Sequence, residues 1–575
     1  MLKKIAPAVK GYLKYTILSP LLMIGEVIME CLIPITMGNI VDNGISQNDI
    51  HYVIVHGLMM VLFACISLFC GCMAGRFSSI ASVGFAKNLR KMLFGKVQTF
   101  SFANVDKFST GSLITRLTND VTNTQNAFLT CIRMLFRAPI TFVVAIIMCL
   151  RLSPKLSLSF TVFVPIIAIA LAIIMNMAFP KFNEMLNAMD ALNTDVQENL
   201  TAIRIVKAFV RGDFERKKFN AAVRKVKDTQ LSAEKIVIWT MPVMQFCMYA
   251  CNIIVAWFGA KIVLGGGMGT GALMSFFTYI AQILMSLMMI SMIFMQIVIS
   301  KASVKRIAEV LDEVPDISSG NSKDDVKDGE IEFKDVSFSY SKNPDNLTLK
   351  DINLHIKPGQ TVGVIGGTGS AKSSLVQLIP RLNDVQSGEV LVGGKNVKEY
   401  NLKTLRDAVS MVLQKNVLFS GTIEDNLRWG DENATEEQII EACKAAQAHD
   451  FIMSFPNGYK TDLGQGGVNV SGGQKQRLCI ARALLKHPKV LILDDSTSAC
   501  DTATDSKIRA SFKSDYLKDV TKIVIAQRIT SVMDSDLIVI LDEGKILASG
   551  THDELMKSSE VYREIYTSQQ KGAEE

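Results

Sequence analysis

The hydrophobic pattern of the chain changes near residue 300. Before that point, six segments are long and apolar enough to cross a bilayer, which takes about 20 helical residues. They are expected at 16–41, 53–80, 127–150, 156–179, 238–263 and 271–299. Each must be helical, because lipid offers no water to backbone N–H and C=O groups. The stretches 82–125 and 181–235 keep helical periodicity with few breakers, so they carry membrane helices well past the apolar layer. A polar turn interrupts each, near Ser101 to Lys107 and near Phe209 to Phe214. These turns are either docking points for another domain or solvated loops.

From Ile331 onward strand and helix signals alternate. The runs Thr361-Val362-Gly363-Val364-Ile365 and Val490-Leu491-Ile492-Leu493 predict buried parallel strands. The expected fold class is an α-helical transmembrane domain of six spans, with long helix extensions, fused to an α/β domain. The expected boundaries are 1–310 for the membrane part, 311–330 for a polar linker and 331–575 for the α/β part. The linker carries Pro315, Ser318, Ser319, Gly320, Asp324 and Asp325.

Composition refines this picture. At 575 residues the chain exceeds one domain, and a net charge of +6 is too modest to indicate nucleic acid. The charge is local: Lys87, Arg90, Lys91, Lys96, Lys107 and Arg116 fall in one long connection, and Lys207, Arg211, Arg216, Lys217, Lys218, Arg224, Lys225 and Lys227 in the other. The positive-inside rule makes those connections cytoplasmic, which places both termini and the α/β part in the cytoplasm of a multi-pass cell-membrane protein. The eleven cysteines show no zinc-like pairing and are expected as reduced thiols. Lys3 and Lys4 precede a long apolar segment without a small-residue cleavage site, so the N-terminal segment is expected to be a first span.

The chemistry lies after the strand at 361–365. Gly366, Gly367, Thr368, Gly369, Ser370, Ala371, Lys372, Ser373 and Ser374 follow that strand and precede an apolar helix expected at 375–382. That is the setting of a phosphate-binding loop, whose backbone N–H groups and helix start cradle phosphates. Lys372 is expected on the β- and γ-phosphates of ATP and Ser373 on Mg²⁺. Asp494 ends a second apolar strand, where a Mg²⁺-orienting carboxylate belongs. Ala371 replaces the last glycine of the pattern, and binding survives provided that its φ is negative.

With these motifs in order, residues 331–560 resemble the nucleotide-binding domain of an ABC transporter. Ser471, Gly472, Gly473 and Gln474 resemble the family's signature, which completes the ATP site of a partner chain. Gln414 resembles the loop glutamine that senses Mg²⁺ and the membrane domain, and Tyr340 the aromatic residue that stacks on adenine. Ser498 and Asp501 resemble the D-loop, with Cys500 where leucine is usual. With six spans upstream, the chain resembles half of a type IV exporter. The family closes two such domains head to tail on two ATP molecules.

Two departures stand out against this resemblance. Asp495 occupies the position of the glutamate that polarises the attacking water, and Gln527 that of the histidine that contacts the γ-phosphate. Asp495 is one methylene short, and about 1 Å of misplacement costs about 100-fold in rate. Gln527 can hydrogen-bond but cannot hold a positive charge. The site is expected to bind ATP and hydrolyse it slowly or not at all, unless a backbone shift lets Asp495 reach the water. The chain thus resembles the degenerate-site subunit of bacterial heterodimeric multidrug exporters, its intact signature serving a non-identical partner. Gln465 also departs from a common glutamate.

In the spans, Glu26 and Glu30 share one helical face, and Arg133 and Arg137 repeat the spacing in the third. The glutamates either form a cavity pair that favours cationic cargo or pair with an arginine or lie near headgroups. Met241, Met244, Met248, Met274, Met285, Met288, Met289, Met292 and Met295 suit a cavity that accepts varied shapes, or fill gaps. The expected function is export of hydrophobic or amphipathic drugs, lipids or peptides. Two other readings stand: a homodimeric lipid flippase with a working site, and a non-transporting ATP sensor. The spans exclude a soluble P-loop ATPase, and an importer fits less well because the spans are fused to the ATPase.

Overall fold

The structure, a computed structural model, describes residues 2–322, 324–496, 502–512 and 517–574. Among the described residues, six helices are long and apolar enough to cross a membrane: Leu13–Ile45, Ile50–Gln98, Thr110–Leu152, Pro154–Thr201, Gly212–Leu264 and Thr270–Phe294. Five of the six expected spans lie within them, and the sixth, 271–299, starts in the last and runs past Phe294 along the same helix, Thr270–Asp312. The helix Ile50–Gln98 has 49 residues, which at 1.5 Å per residue is about 74 Å, over twice a bilayer's apolar thickness. Its proline-free sequence continues as an extension, as the helical periodicity of 82–98 predicts.

The chain separates into two compact units. The first is Met1–Gln98 with Thr110–Glu313; the second is Thr99–Ser109 with Val314–Glu575. Inside the first, small residues allow close approach of the first and last spans. A Cβ on Gly38 would sit 2.8 Å from the carbonyl oxygen of Gly271, so neither glycine tolerates a side chain there. Ser275 and Tyr279, one turn apart, donate to the carbonyls of Pro34 and Cys31 at 2.6 and 2.5 Å. Asp42 caps the last span by accepting from the N–H groups of Gly271 and Ala272 at 2.7 and 2.9 Å. A carboxylate at a helix start is favoured by the unpaired N–H groups and the helix dipole. Farther along, Arg306 grips the buried carboxylate of Asp120, with Nε 2.7 Å from Oδ2.

The second unit holds two sheets. Strands β1 (Ile331–Phe338), β2 (Leu349–Ile356), β4 (Ser387–Val392) and β5 (Lys395–Asn396) form an antiparallel sheet in the order β2-β1-β4-β5. Strands β3 (Thr361–Ile365), β6 (Val409–Val412), β7 (Val490–Asp494), β8 (Thr521–Ile525), β9 (Leu537–Asp542) and β10 (Lys545–Gly550) form the other, ordered β10-β9-β3-β8-β7-β6. The β9–β10 pair there is antiparallel and the other four pairs among the described residues are parallel. Every residue of β7 and β8 is buried, as continuous apolar runs in a covered parallel sheet require.

The polar stretch after Val314 is tied to this unit. Gly320 N donates to Tyr400 O at 3.0 Å, and Arg381 Nη1 to Ser318 O at 2.8 Å. Ile317 and Val326 are buried apolar anchors that the surrounding polarity obscures in sequence. The helix expected at 375–382 is instead Lys372–Gln377. Pro380 lacks an N–H, and Arg381 takes φ +51°, so the chain leaves the helix in turns.

Candidate functional site

Strands β3, β7 and β8 end at one cleft of about 580 Å³. That volume lies within the range of small-molecule sites. The loop after β3 supplies Gly366, Gly367, Thr368, Gly369, Ser370, Ala371, Lys372, Ser373 and Ser374; the ends of β7 and β8 bring Asp494, Asp495 and Gln527, and Gln414 faces it from the loop after β6. The cleft sits at the carboxyl ends of parallel strands, where open α/β sheets place ligands.

The loop's shape depends on left-handed backbone. Gly366 has φ +153°, and a Cβ there would sit 2.1 Å from Leu541 O. Ala371 has φ +73°. The expectation of a negative φ at Ala371 is therefore corrected. The position still has glycine's conformation, and an alanine there costs about 1–2 kcal/mol. Lys372 Nζ donates to the carbonyls of Gly366 and Gly367 at 2.9 and 2.8 Å. Ser373 Oγ donates to Asp494 Oδ1 at 2.9 Å. Tyr340 is largely exposed, with its hydroxyl 3.0 Å from Ser374 Oγ and its ring edge-on to Phe338.

Burial dominates the electrostatics. It pushes the Asp494 carboxyl above its usual range, reinforced by the neighbouring charge of Asp495 and opposed by Ser373 and Lys372. Burial likewise raises Asp495, against the hydrogen bond from Gln527 and the charge of Lys372. Burial lowers Lys372, while Asp495 and Asp494 pull it back. Gln527 Nε2 donates to Asp495 Oδ2 at 2.9 Å, so the two departing residues meet. Asp495 has φ +50°, and its N–H bonds Ile525 O at 3.1 Å. Sequence reasoning missed Thr348, Ile565 and Gln569 in the cleft wall. None lies in a recognisable motif, and Ile565 and Gln569 come from the C-terminal helix Glu560–Glu574.

Ser471, Gly472, Gly473 and Gln474 lie elsewhere. Ser471 caps the helix Gly472–Leu484 in a reciprocal box with Gln474, at 2.9 and 3.3 Å. Ser471 and Gly472 are exposed, and among the described residues none of the four lines the cleft. The helix start presents the positive end of its dipole to an anion from outside. Ser498 and Asp501, with Cys500, lie outside the described residues.

The turn at 101–107 belongs to the second unit. Phe102–Phe108 is a short helix capped by Ser101 and Asn104. Ser101 bonds Asp316, and Asn104 Nδ2 donates to Val314 O at 3.4 Å. Phe102 lines a groove of about 380 Å³ with Leu413, Val417, Trp429 and Arg482. The other turn follows the helix Ile203–Ala208 and exposes Phe209 and Val210 at 74% and 88%.

In the membrane unit, Arg137 bridges both glutamates, Nη1 to Glu26 Oε1 at 2.6 Å and Nη2 to Glu30 Oε2 at 3.0 Å. Arg133 is exposed. Of the two readings of the glutamates, pairing with an arginine is the one the geometry realises. Glu26 Oε2 is buried against Gly71 of the second span, with no hydrogen-bond partner among the described residues. Met244 is buried in the core and Met248 and Met288 pack against it, while Met241, Met274, Met285 and Met292 are exposed.

The sequence matches two family profiles. The ABC transporter transmembrane region covers residues 16–288, and the ABC transporter domain covers 349–498. The chain is 38% identical over 549 residues to YfiB, an uncharacterised ABC transporter ATP-binding protein of Bacillus subtilis, covering 96% of this chain and 95% of that one. It is 34% identical over 567 residues to the uncharacterised ABC transporter ATP-binding protein MT1311 of Mycobacterium tuberculosis, covering 98% and 97%. It is also 34% identical over 485 residues, covering 84% and 83%, to YgaD of Bacillus subtilis, whose name provisionally assigns it to multidrug export as an ATP-binding/permease protein.

Proposed function

The chain belongs to the ABC transporter family as an exporter-type half-transporter, a multi-pass membrane protein with an ATP-binding domain, and from that premise we propose that it works as the degenerate-site subunit of a heterodimer. The observation that carries this reading is the bond between Gln527 and Asp495. It ties a short carboxylate to a neutral amide, on a backbone already held at Ile525. A carboxylate so engaged is poorly placed to orient water, and positioning dominates phosphoryl transfer. ATP is held by the 366–374 loop, Lys372 and the face of Tyr340, and is turned over slowly.

The donor set suits Mg²⁺. Ser373 Oγ and Asp494 Oδ1 stand 2.9 Å apart, hard oxygens of the kind that ion takes, with Gln414 on the same cleft. Ser373 and Asp494 would hold the ion, which would supply positive charge against the phosphates, and Lys372 would add to it.

The signature at Ser471, Gly472, Gly473 and Gln474 then serves the competent site of a non-identical partner. Phe209 and Val210 are apolar side chains at the tip of a basic connection, and in this reading the partner's ATPase domain covers them. Both termini and the ATPase domain lie in the cytoplasm, following the Lys/Arg bias of 82–125 and 181–235. The cargo is a hydrophobic or amphipathic compound; the name of YgaD agrees with multidrug export.

The test is nucleotide fate at each site of the purified pair. After loading with photoreactive ATP and a timed chase, this chain should retain triphosphate while the partner holds diphosphate. Equal conversion in both chains rejects the assignment.

A further inference from the structure

The helix Glu560–Glu574 reaches the cleft through Ile565 and Gln569, and the Gln569 carboxamide bonds the loop after β8. Gln569 Oε1 accepts from Ile529 N at 2.8 Å, and Gln569 Nε2 donates to Gln527 O at 2.8 Å. These contacts span 40 and 42 residues of sequence. We infer that Gln569 is a positioning residue for the ATP site, holding the backbone at 527–529 so that the Gln527 side chain faces Asp495. The inference rests on the reading that this cleft takes ATP.

The geometry calls for glutamine. One carboxamide offers a donor and an acceptor at fixed spacing, matching a C=O and an N–H two residues apart. Glutamate lacks the donor and lysine the acceptor. The helix itself is anchored away from the cleft. Tyr562 is fully buried, and its hydroxyl lies 2.7 Å from His552 Nδ1. Ile565, one turn before Gln569, lines the cleft beside Ile529.

The rest of the loop is also fixed. Ala526 N bonds Val364 O at 3.3 Å on one side. On the other, Ser531 Oγ donates to Asp505 Oδ2 at 3.0 Å, on the helix Thr502–Ser511. Between these ties, Gln569 holds the peptide groups flanking Arg528. Removing its grip frees the residue that touches Asp495 while leaving both ends of the loop in place. A C-terminal helix thereby sets the geometry of a site whose motifs all lie upstream of it.

The test uses the full chain in lipid nanodiscs, with wild-type protein, Gln569→Glu, Gln569→Met and, as a docking control, Tyr562→Phe. Two quantities are read: hydrogen exchange of the 527–531 amides, and the release rate of prebound ATP from this chain's site. Gln569→Glu and Gln569→Met should speed both by about tenfold, the scale expected for losing one or two hydrogen bonds, with exchange in 560–566 unchanged. Tyr562→Phe should move exchange in the helix more than ATP release. Unchanged release in both Gln569 variants, with the helix docked and ATP still bound, overturns the inference. If a Gln569 variant undocks the helix, its ATP release is compared with that of a Tyr562→Ala chain whose helix is also undocked: faster release in the Gln569 variant supports the inference, and equal release overturns it. Wild-type chain that binds no ATP fails the reading of the site, and the inference with it.

Discussion

Gln527 Nε2 donates to Asp495 Oδ2 across 2.9 Å. Each of these residues departs from the family pattern, and each satisfies the other. The amide carries no charge to offer a phosphate, and the carboxylate spends an oxygen on it. Asp495 is further held by its left-handed backbone and its bond to Ile525 O. In the proposed reading, short reach and a fixed backbone act on one step, the orientation of water.

Restoring both positions should therefore restore turnover. Asp495→Glu with Gln527→His is expected to raise ATP hydrolysis at this chain's site by at least about tenfold. Either change alone should yield less than its share, because groups acting as a unit are non-additive. Steady-state phosphate release from the purified variants measures this, and additive single effects would contradict it.

Ala371 carries strain that its position requires. At φ +73° a β-branched residue is far less tolerated than alanine. Ala371→Val should lower the stability of the ATPase domain by about 2 kcal/mol or more. Ala371→Gly should be neutral to about 1 kcal/mol stabilising, since relief of strain is offset by a more flexible unfolded chain. Denaturant unfolding separates the two; a silent Ala371→Val would show that this backbone is not left-handed.

The elements most legible in sequence are those set by local pattern. Six apolar runs exceed a bilayer's span, and the runs at 361–365 and 490–493 are buried parallel strands because nothing polar interrupts them. What escaped depends on conformation or distant contact. The sign of φ at Ala371 is fixed by the loop's path and not by its own side chain. Gln569 arrives from 42 residues beyond Gln527. Arg137 and Arg133 are equivalent in sequence, and only packing brings Arg137 to Glu26 and Glu30.

That triad makes a third prediction. Removing Arg137 alone leaves two carboxylates in a low-dielectric layer, a cost of about 3–5 kcal/mol for a fully buried pair and less here because Glu30 is partly exposed. Arg137→Met should lower the thermal midpoint sharply. Adding Glu26→Gln and Glu30→Gln should recover most of it. A triple variant no better than Arg137→Met would show that the arginine acts through something other than charge.

Metal dependence should follow Ser373 and Asp494. Nucleotide affinity of the wild-type chain is expected to fall by at least about tenfold when Mg²⁺ is replaced by a chelator, because carboxylate and hydroxyl oxygens are its ligands. In Ser373→Ala and Asp494→Asn the ratio with and without Mg²⁺ should shrink toward one. A full Mg²⁺ effect in Asp494→Asn would place the ion elsewhere.

The most direct measurement is ATP hydrolysis by the purified chain in nanodiscs, alone and with the half-transporter proposed as its partner. The account predicts negligible activity alone, activity on adding the partner, and its loss when the partner's catalytic glutamate is replaced. Robust activity from this chain alone that falls on Asp495→Asn would contradict it, and would make the chain a homodimer with a working site.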